Sequence, residues 1–177
     1  QVIDAPVSGA TQAAKEADLM IMAGCRAEDA VRIASVFDAM SSAVIYLDKK
    51  GAGAVMKLAV NSLIHGINQT LAEAMVLAEA AGIAPDRAFD VIEASAACAP
   101  MLKYRRPLYL DEAQHDVTFT VALARKDMQV TAALAQKYAT AMPQGRATLQ
   151  KLIDAETAGY GQRDMAAMLA YMREEKQ

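Results

Sequence analysis

The sequence predicts a mainly α-helical chain with a small α/β segment at its start, and three observations predict it. The strand-length apolar runs VIDAPVSG, DLMIMAGC and SAVIYLD all fall within the first fifty residues. From Gly51 onward no further strand pattern occurs. Alanine, leucine and methionine, which favour helix, dominate the remainder, with Gly82, Pro107, Pro143 and Gly159/Gly161 as punctuation.

The first segment, residues 1–50, reads as strand, strand, helix, strand, with RAEDAVRIASVFDAM as the helix. That is too few strands for a comfortable sheet. The chain opens at Gln1 directly on VIDAPV, which reads as a piece of a longer protein. A long helix is expected from residue 52 to about 81, with Gly66 its one breaker, Gly82 at its end and Pro85 opening the next helix. At 1.5 Å per residue it would span about 45 Å, long enough to run from one domain into another. Further helices are expected at 86–97, 118–140, 144–158 and 164–174. KYRRP, at 103–107, reads as a solvated loop.

Composition narrows the function classes. The 177 residues are 54% hydrophobic and 22% charged, with a net charge of −3, which is globular. No basic face suits a nucleic acid. Apolar runs such as LMIMAGC are far shorter than the roughly 20 residues needed to cross a bilayer. Cys25 and Cys98 stand apart, without C-x-x-C spacing, and read as reduced, buried thiols of a cytoplasmic protein. With only His65 and His115 available, no metal site is expected.

The long helix carries one polar stripe. Lys57 and Asn61 are four apart, and His65 and Asn68 fall on the same side. The stripe is either the wet face of an amphipathic helix or one wall of a cleft. It holds no carboxylate, whereas solvated faces usually mix Glu with Lys. VSGA at 7–10 is a tight turn after a strand. It is either an ordinary turn or a carboxylate cradle made by the Ser8 hydroxyl and the backbone amide at Gly9. Gly51 and Gly53 could shape a loop or admit a ligand close to the backbone. RKDM at 125–128, taken alone, reads as surface charge.

In order along the chain, DAPVSGA, GAGAVMK-x-x-x-N, AEAMVLAEAAGI, KDM and AGYGQRDMAA resemble the β-hydroxyacid dehydrogenases, and the resemblance covers essentially the whole chain. It implies that residues 1–50 are the last strands and helix of an NAD(P)-binding Rossmann domain. Residues 51–177 would be an all-helical domain like the C-terminal domain of 6-phosphogluconate dehydrogenase, serving substrate binding and dimerisation. No G-x-G-x-x-G fingerprint occurs in the chain, so the main cradle for NAD or NADP is missing and this stretch alone should not turn over.

The resemblance also implies roles. Lys57 would be the catalytic lysine, Ser8, Gly9, Asn61 and Gly53 would meet a small carboxylate substrate, and Lys126 with Asp127 would reach the cofactor. The chemistry is a hydride exchanged with NAD(P) at a hydroxyl-bearing carbon while a proton is exchanged at its oxygen. A lysine desolvated at a cleft between two lobes suits that proton transfer. Val60, where 6-phosphogluconate dehydrogenases carry histidine, argues against a phosphorylated sugar acid. The alternative is a non-catalytic helical dimerisation module. A homo-oligomer is expected on either reading.

Overall fold

The computed structural model describes residues 2–9 and 11–175. The chain divides into two units, 1–60 and 61–177.

In the first unit, β1 (Val7–Ser8) pairs antiparallel with β2 (Leu19–Ala23), which pairs parallel with β3 (Ser41–Tyr46). Among the described residues this is a three-stranded sheet in the order β1–β2–β3. β2, apolar throughout, is the central strand and is buried at Leu19, Ile21, Met22 and Ala23. β1 is shorter than the VIDAPVSG run. Pro6 has no N–H to give, so pairing upstream continues only through carbonyls, with Met22 N donating to Pro6 O at 2.9 Å and Gly24 N to Asp4 O at 2.8 Å. A short helix not anticipated, α1 (Thr11–Lys15), buries nothing, which is why no apolar period announces it. The expected single helix over 26–40 is broken into α2 (Ala27–Ala30), a 3-10 turn (Val31–Ile33) and α3 (Ala34–Asp38). β-branched Val31 and Ile33, whose side chains lose χ1 freedom in a helix, sit at the break. Ala30 and Phe37 join Ile21, Ala23 and Cys25 in this unit's core.

The long helix is present as α4 (Ala52–Ala80), about 44 Å at 1.5 Å per residue. The division between the units falls within it. Gly66 does not interrupt it. It ends on Gly82 at φ +84°, where Gly82 N donates to Glu79 O at 2.9 Å and Ile83 N to Ala78 O at 3.0 Å, the paired closure of a Schellman cap.

The second unit continues with α5 (Pro85–Ala94), α6 (Pro100–Leu110), α7 (Val121–Lys137), α8 (Pro143–Ala155) and α9 (Met168–Glu174). Pro85, Pro100 and Pro143 each open a helix, where the absent N–H costs nothing. Thr120 caps α7 by accepting from Leu123 N at 3.1 Å. α8 runs into a wide turn over Glu156–Tyr160, which Gly159 relieves at φ +94°. Phe89, Met75, Val121, Met128, Met168 and Leu169 are buried at the centre of this unit.

The reading of 103–107 as a solvated loop is corrected. Those residues lie inside α6, with Pro107 within the helix and Arg105 only 6% exposed. Met101, Leu102, Arg105, Leu108 and Tyr109 are its buried side, at spacings of 1, 4, 7 and 8 from Met101. The pattern was hidden because a charged residue occupies its middle position.

Candidate functional site

The polar stripe of α4 is resolved in favour of burial. Asn61, His65 and Asn68 are 7%, 3% and 2% exposed, whereas apolar Leu63 and Leu77 on the same helix are 68% and 73% exposed. The wet-face reading therefore inverts the helix. Each buried polar group has a partner across the helical unit. Asn61 Nδ2 donates to Asp127 Oδ2 at 2.6 Å. His65 stacks on Phe119, with ring centroids 5.7 Å apart. Asn68 accepts from the Tyr109 hydroxyl at 2.7 Å and donates to the Met165 carbonyl at 3.0 Å. Burial pushes the Tyr109 phenol up to about 12.

Asp127 corrects the reading of RKDM as surface charge. Its exposure is 8%, because α7 turns it inward with Ala124, Met128 and Thr131. Lys126, the next residue round the helix, keeps a side chain 58% exposed and pairs with Asp127 Oδ1 at 2.8 Å. Asn61, Asp127 and Lys126 thus form a chain running from a buried amide to a solvent-facing ammonium. An exposed cation anchored by a buried acid is a suitable donor for a ribose or phosphate oxygen.

In the first unit, Ser8 lies in β1 opposite Met20, half-buried. Gly9 follows at φ +132°, and a Cβ there would meet Leu19 Cδ2 at 2.8 Å and Ala13 Cβ at 2.9 Å. Glycine is required at that turn on both counts. Ala10, the last residue of the expected cradle, lies outside the described residues. Lys57 is half-buried on α4.

Gly53 has an internal reason to be glycine. A Cβ would collide with the Met22 carbonyl oxygen and would lie 2.9 Å from Asp4 Oδ2. The space beside its backbone is filled by the chain itself. Asp4 is the organiser of this region; the DAPVSGA motif contains it, but nothing in the motif showed what its carboxylate holds. Its carboxylate accepts from Gly51 N at 2.7 Å and Ala54 N at 3.0 Å, serving amides that the start of α4 cannot satisfy internally. Burial acts to raise the Asp4 carboxyl, but these amide bonds outweigh it and hold it below the usual carboxylate range.

Sequence reasoning also missed the hub at Asp164. It accepts from Arg105, from Thr118 N and Oγ1 at 2.9 Å each, from Phe119 N at 3.2 Å and from Ala166 N at 2.9 Å. The AGYGQRDMAA motif contained this residue, but only packing shows what it holds. Among the described residues, no cluster of three His, Cys, Asp or Glu side chains is placed to hold a metal, and no helix is long and apolar enough to cross a membrane. Cys25 is buried and Cys98 half-buried, both free.

Residues 51–172 match the family profile described as NAD-binding of NADP-dependent 3-hydroxyisobutyrate dehydrogenase. Residues 1–48 match the profile of the NAD binding domain of 6-phosphogluconate dehydrogenase. The chain belongs to the β-hydroxyacid dehydrogenase family.

It is 29% identical over 170 residues to glyoxylate/succinic semialdehyde reductase 1 of Arabidopsis thaliana, covering 94% of this chain and 57% of that protein. It is 30% identical over 172 residues to 3-sulfolactaldehyde reductase of Escherichia coli, covering 97% and 58%. Among solved structures it is similar to 3-hydroxyisobutyrate dehydrogenase from Salmonella typhimurium, with TM-score 0.85, 30% identity, and 96% and 59% of the two chains covered. The chain thus spans under three fifths of the length of these relatives.

Proposed function

We propose that this chain is the substrate-binding and catalytic part of an NAD(P)-dependent 3-hydroxyacid dehydrogenase or semialdehyde reductase. Residues 1–50 would be the closing strands of its cofactor domain, and 51–177 its helical domain. The observation that carries the reading is the buried Asn61–Asp127 pair continued to exposed Lys126, set in a region matched by the dehydrogenase profile. A purely structural helix gains little by burying an amide against an acid where apolar side chains would pack.

Held in part by Lys126 and Asp127, a bound NAD(P) would supply the hydride exchange at the hydroxyl-bearing carbon. Lys57 takes the proton from the hydroxyl oxygen during oxidation and returns it during reduction, and its ammonium form stabilises negative charge on that oxygen. Asn61 orients the substrate by hydrogen bonding. Ser8 and the Gly9 amide bind the carboxylate and fix the reacting carbon. Gly53 lets the start of α4 approach the sheet, which sets where Lys57 begins. Lys126, held by Asp127, meets the ribose or phosphate of the dinucleotide.

The test is Lys57→Ala in the full-length protein. The expected kcat loss is about 10²- to 10⁴-fold with an unchanged melting temperature. Near-normal turnover would remove this mechanism.

A second reading has its own observation. A groove of about 530 Å³ in the helical unit is lined by Leu63, Gly66, Ile67, Leu71, Ile92 and Leu102, and Leu77 is exposed on the same helix. Apolar exposure of this kind suits pairing of subunits through the helical unit, with or without catalysis. Sedimentation of Leu63→Lys beside the parent protein tests it: dissociation supports pairing there, and an unchanged profile opposes it.

A further inference from the structure

Asp127 stands between two groups of unlike chemistry. Its Oδ2 accepts from Asn61 Nδ2 at 2.6 Å and its Oδ1 faces the Lys126 ammonium at 2.8 Å. An ionised carboxylate offers acceptors only. Asn61 therefore cannot turn its own Oδ1 toward Asp127 without opposing two acceptors in a buried place, 7% exposed on one side and 8% on the other. One N–H of the amide is committed, leaving its carbonyl oxygen and one N–H for other contacts. The carboxylate decides which of these points where. Thr131 Oγ1 donates to the Asp127 carbonyl at 2.8 Å, and Lys126 occupies the second carboxylate oxygen, so both backbone and side chain of Asp127 are tethered.

We propose that Asp127 is a positioning residue that sets the flip of the Asn61 amide, so that Asn61 meets substrate in one orientation only. This rests on the reading of Asn61 as a substrate-binding group. Asp127 acts through Asn61 and touches no reacting atom. It also shares one carboxylate between the groups that face substrate and cofactor, so a substitution there is felt at Asn61 even when Lys126 is unchanged.

Asp127→Asn is the informative variant. It is isosteric and still bonds Asn61, but through either its oxygen or its amide, so the constraint is lost while a partner remains. In the full-length protein, kcat/KM for the hydroxy acid should fall about ten- to hundredfold, the range for a hydrogen bond to a charged group. The melting temperature should stay near the parent value, and the KM for the dinucleotide should rise less than in Lys126→Ala, because the Lys126 ammonium is kept although its ion-pair partner is lost. Lys126→Ala should raise the dinucleotide KM and spare the KM for the acid.

A readout independent of turnover is the Asn61 side-chain NH₂ pair in a ¹⁵N-labelled sample, assigned by its loss in Asn61→Ala. One proton should lie well downfield of its twin in the parent and return toward it in Asp127→Asn. Equivalent protons in the parent, or a kcat/KM within twofold of the parent in Asp127→Asn, would overturn the proposal. Normal turnover in Lys57→Ala would instead remove the functional reading, and the amide signal would still decide the role of Asp127.

Discussion

Arg105 and Asp164 form an ion pair inside the helical unit, with side-chain exposures of 8% and 1%. The pair joins α6 to the turn that opens α9, and Asp164 at the same time holds the amides of Thr118 and Phe119 just ahead of α7. One carboxylate thus gathers three segments distant in sequence.

Removing one partner leaves the other charge buried and uncompensated. Asp164→Ala should cost about 3–5 kcal/mol. In a chain of this size that lowers the melting temperature on the order of 10 °C. Thermal unfolding followed by circular dichroism measures it, and a drop of only a degree or two would show the pair to be incidental.

Asp4 predicts an acid dependence. Its carboxyl lies below the usual range in the folded chain, so its contribution is present above the unfolded value near 4 and is lost as pH falls through the lower folded value. Asp4→Asn should flatten this part of the stability profile between pH 5 and the acid limit. At neutral pH, Asp4→Ala should cost about 1 kcal/mol, as the loss of a helix cap does. Urea titrations across the pH range would show both.

Tyr109 predicts the alkaline side. Its phenol, raised to about 12 by burial, stabilises the fold fully below the ordinary tyrosine value near 10, and that contribution is lost as pH rises through about 12. Tyr109→Phe removes the donor to Asn68 Oδ1 and should cost about 1–3 kcal/mol. Ultraviolet titration of parent and variant should differ by one late-ionising phenol; superimposable curves would rule this out.

Two glycines of α4 should respond in opposite directions. Gly53→Ala drives a Cβ into the Met22 carbonyl, a backbone atom that cannot swing away, and should destabilise by about 1–3 kcal/mol. Gly66→Ala meets nothing within 4 Å and should stabilise by about 0.5–1 kcal/mol. Equal effects in denaturant melts would mean the helix start is not held as described.

Much of the fold was legible in the chain. Gly82 marks the end of α4 because a left-handed residue closes that cap, and Pro85 and Pro143 mark starts because proline suits a first turn. These are local effects, carried by the residues themselves. α6 was not legible, because Arg105 looks solvated until its acid, 59 residues away, is brought beside it.

The motifs shared with the β-hydroxyacid dehydrogenases were legible as well, since they are order and spacing. The helical period of α4, its ends and the family of the chain follow from residue order alone. Which side of that helix lies inside is set by packing. A polar stripe is stable in the interior when donors meet acceptors, and for Asn61 and Asn68 those partners lie 66, 41 and 97 residues further on. Hydrogen-bond satisfaction at such separations is a property of packing, so no local pattern distinguishes a buried amide from a solvated one.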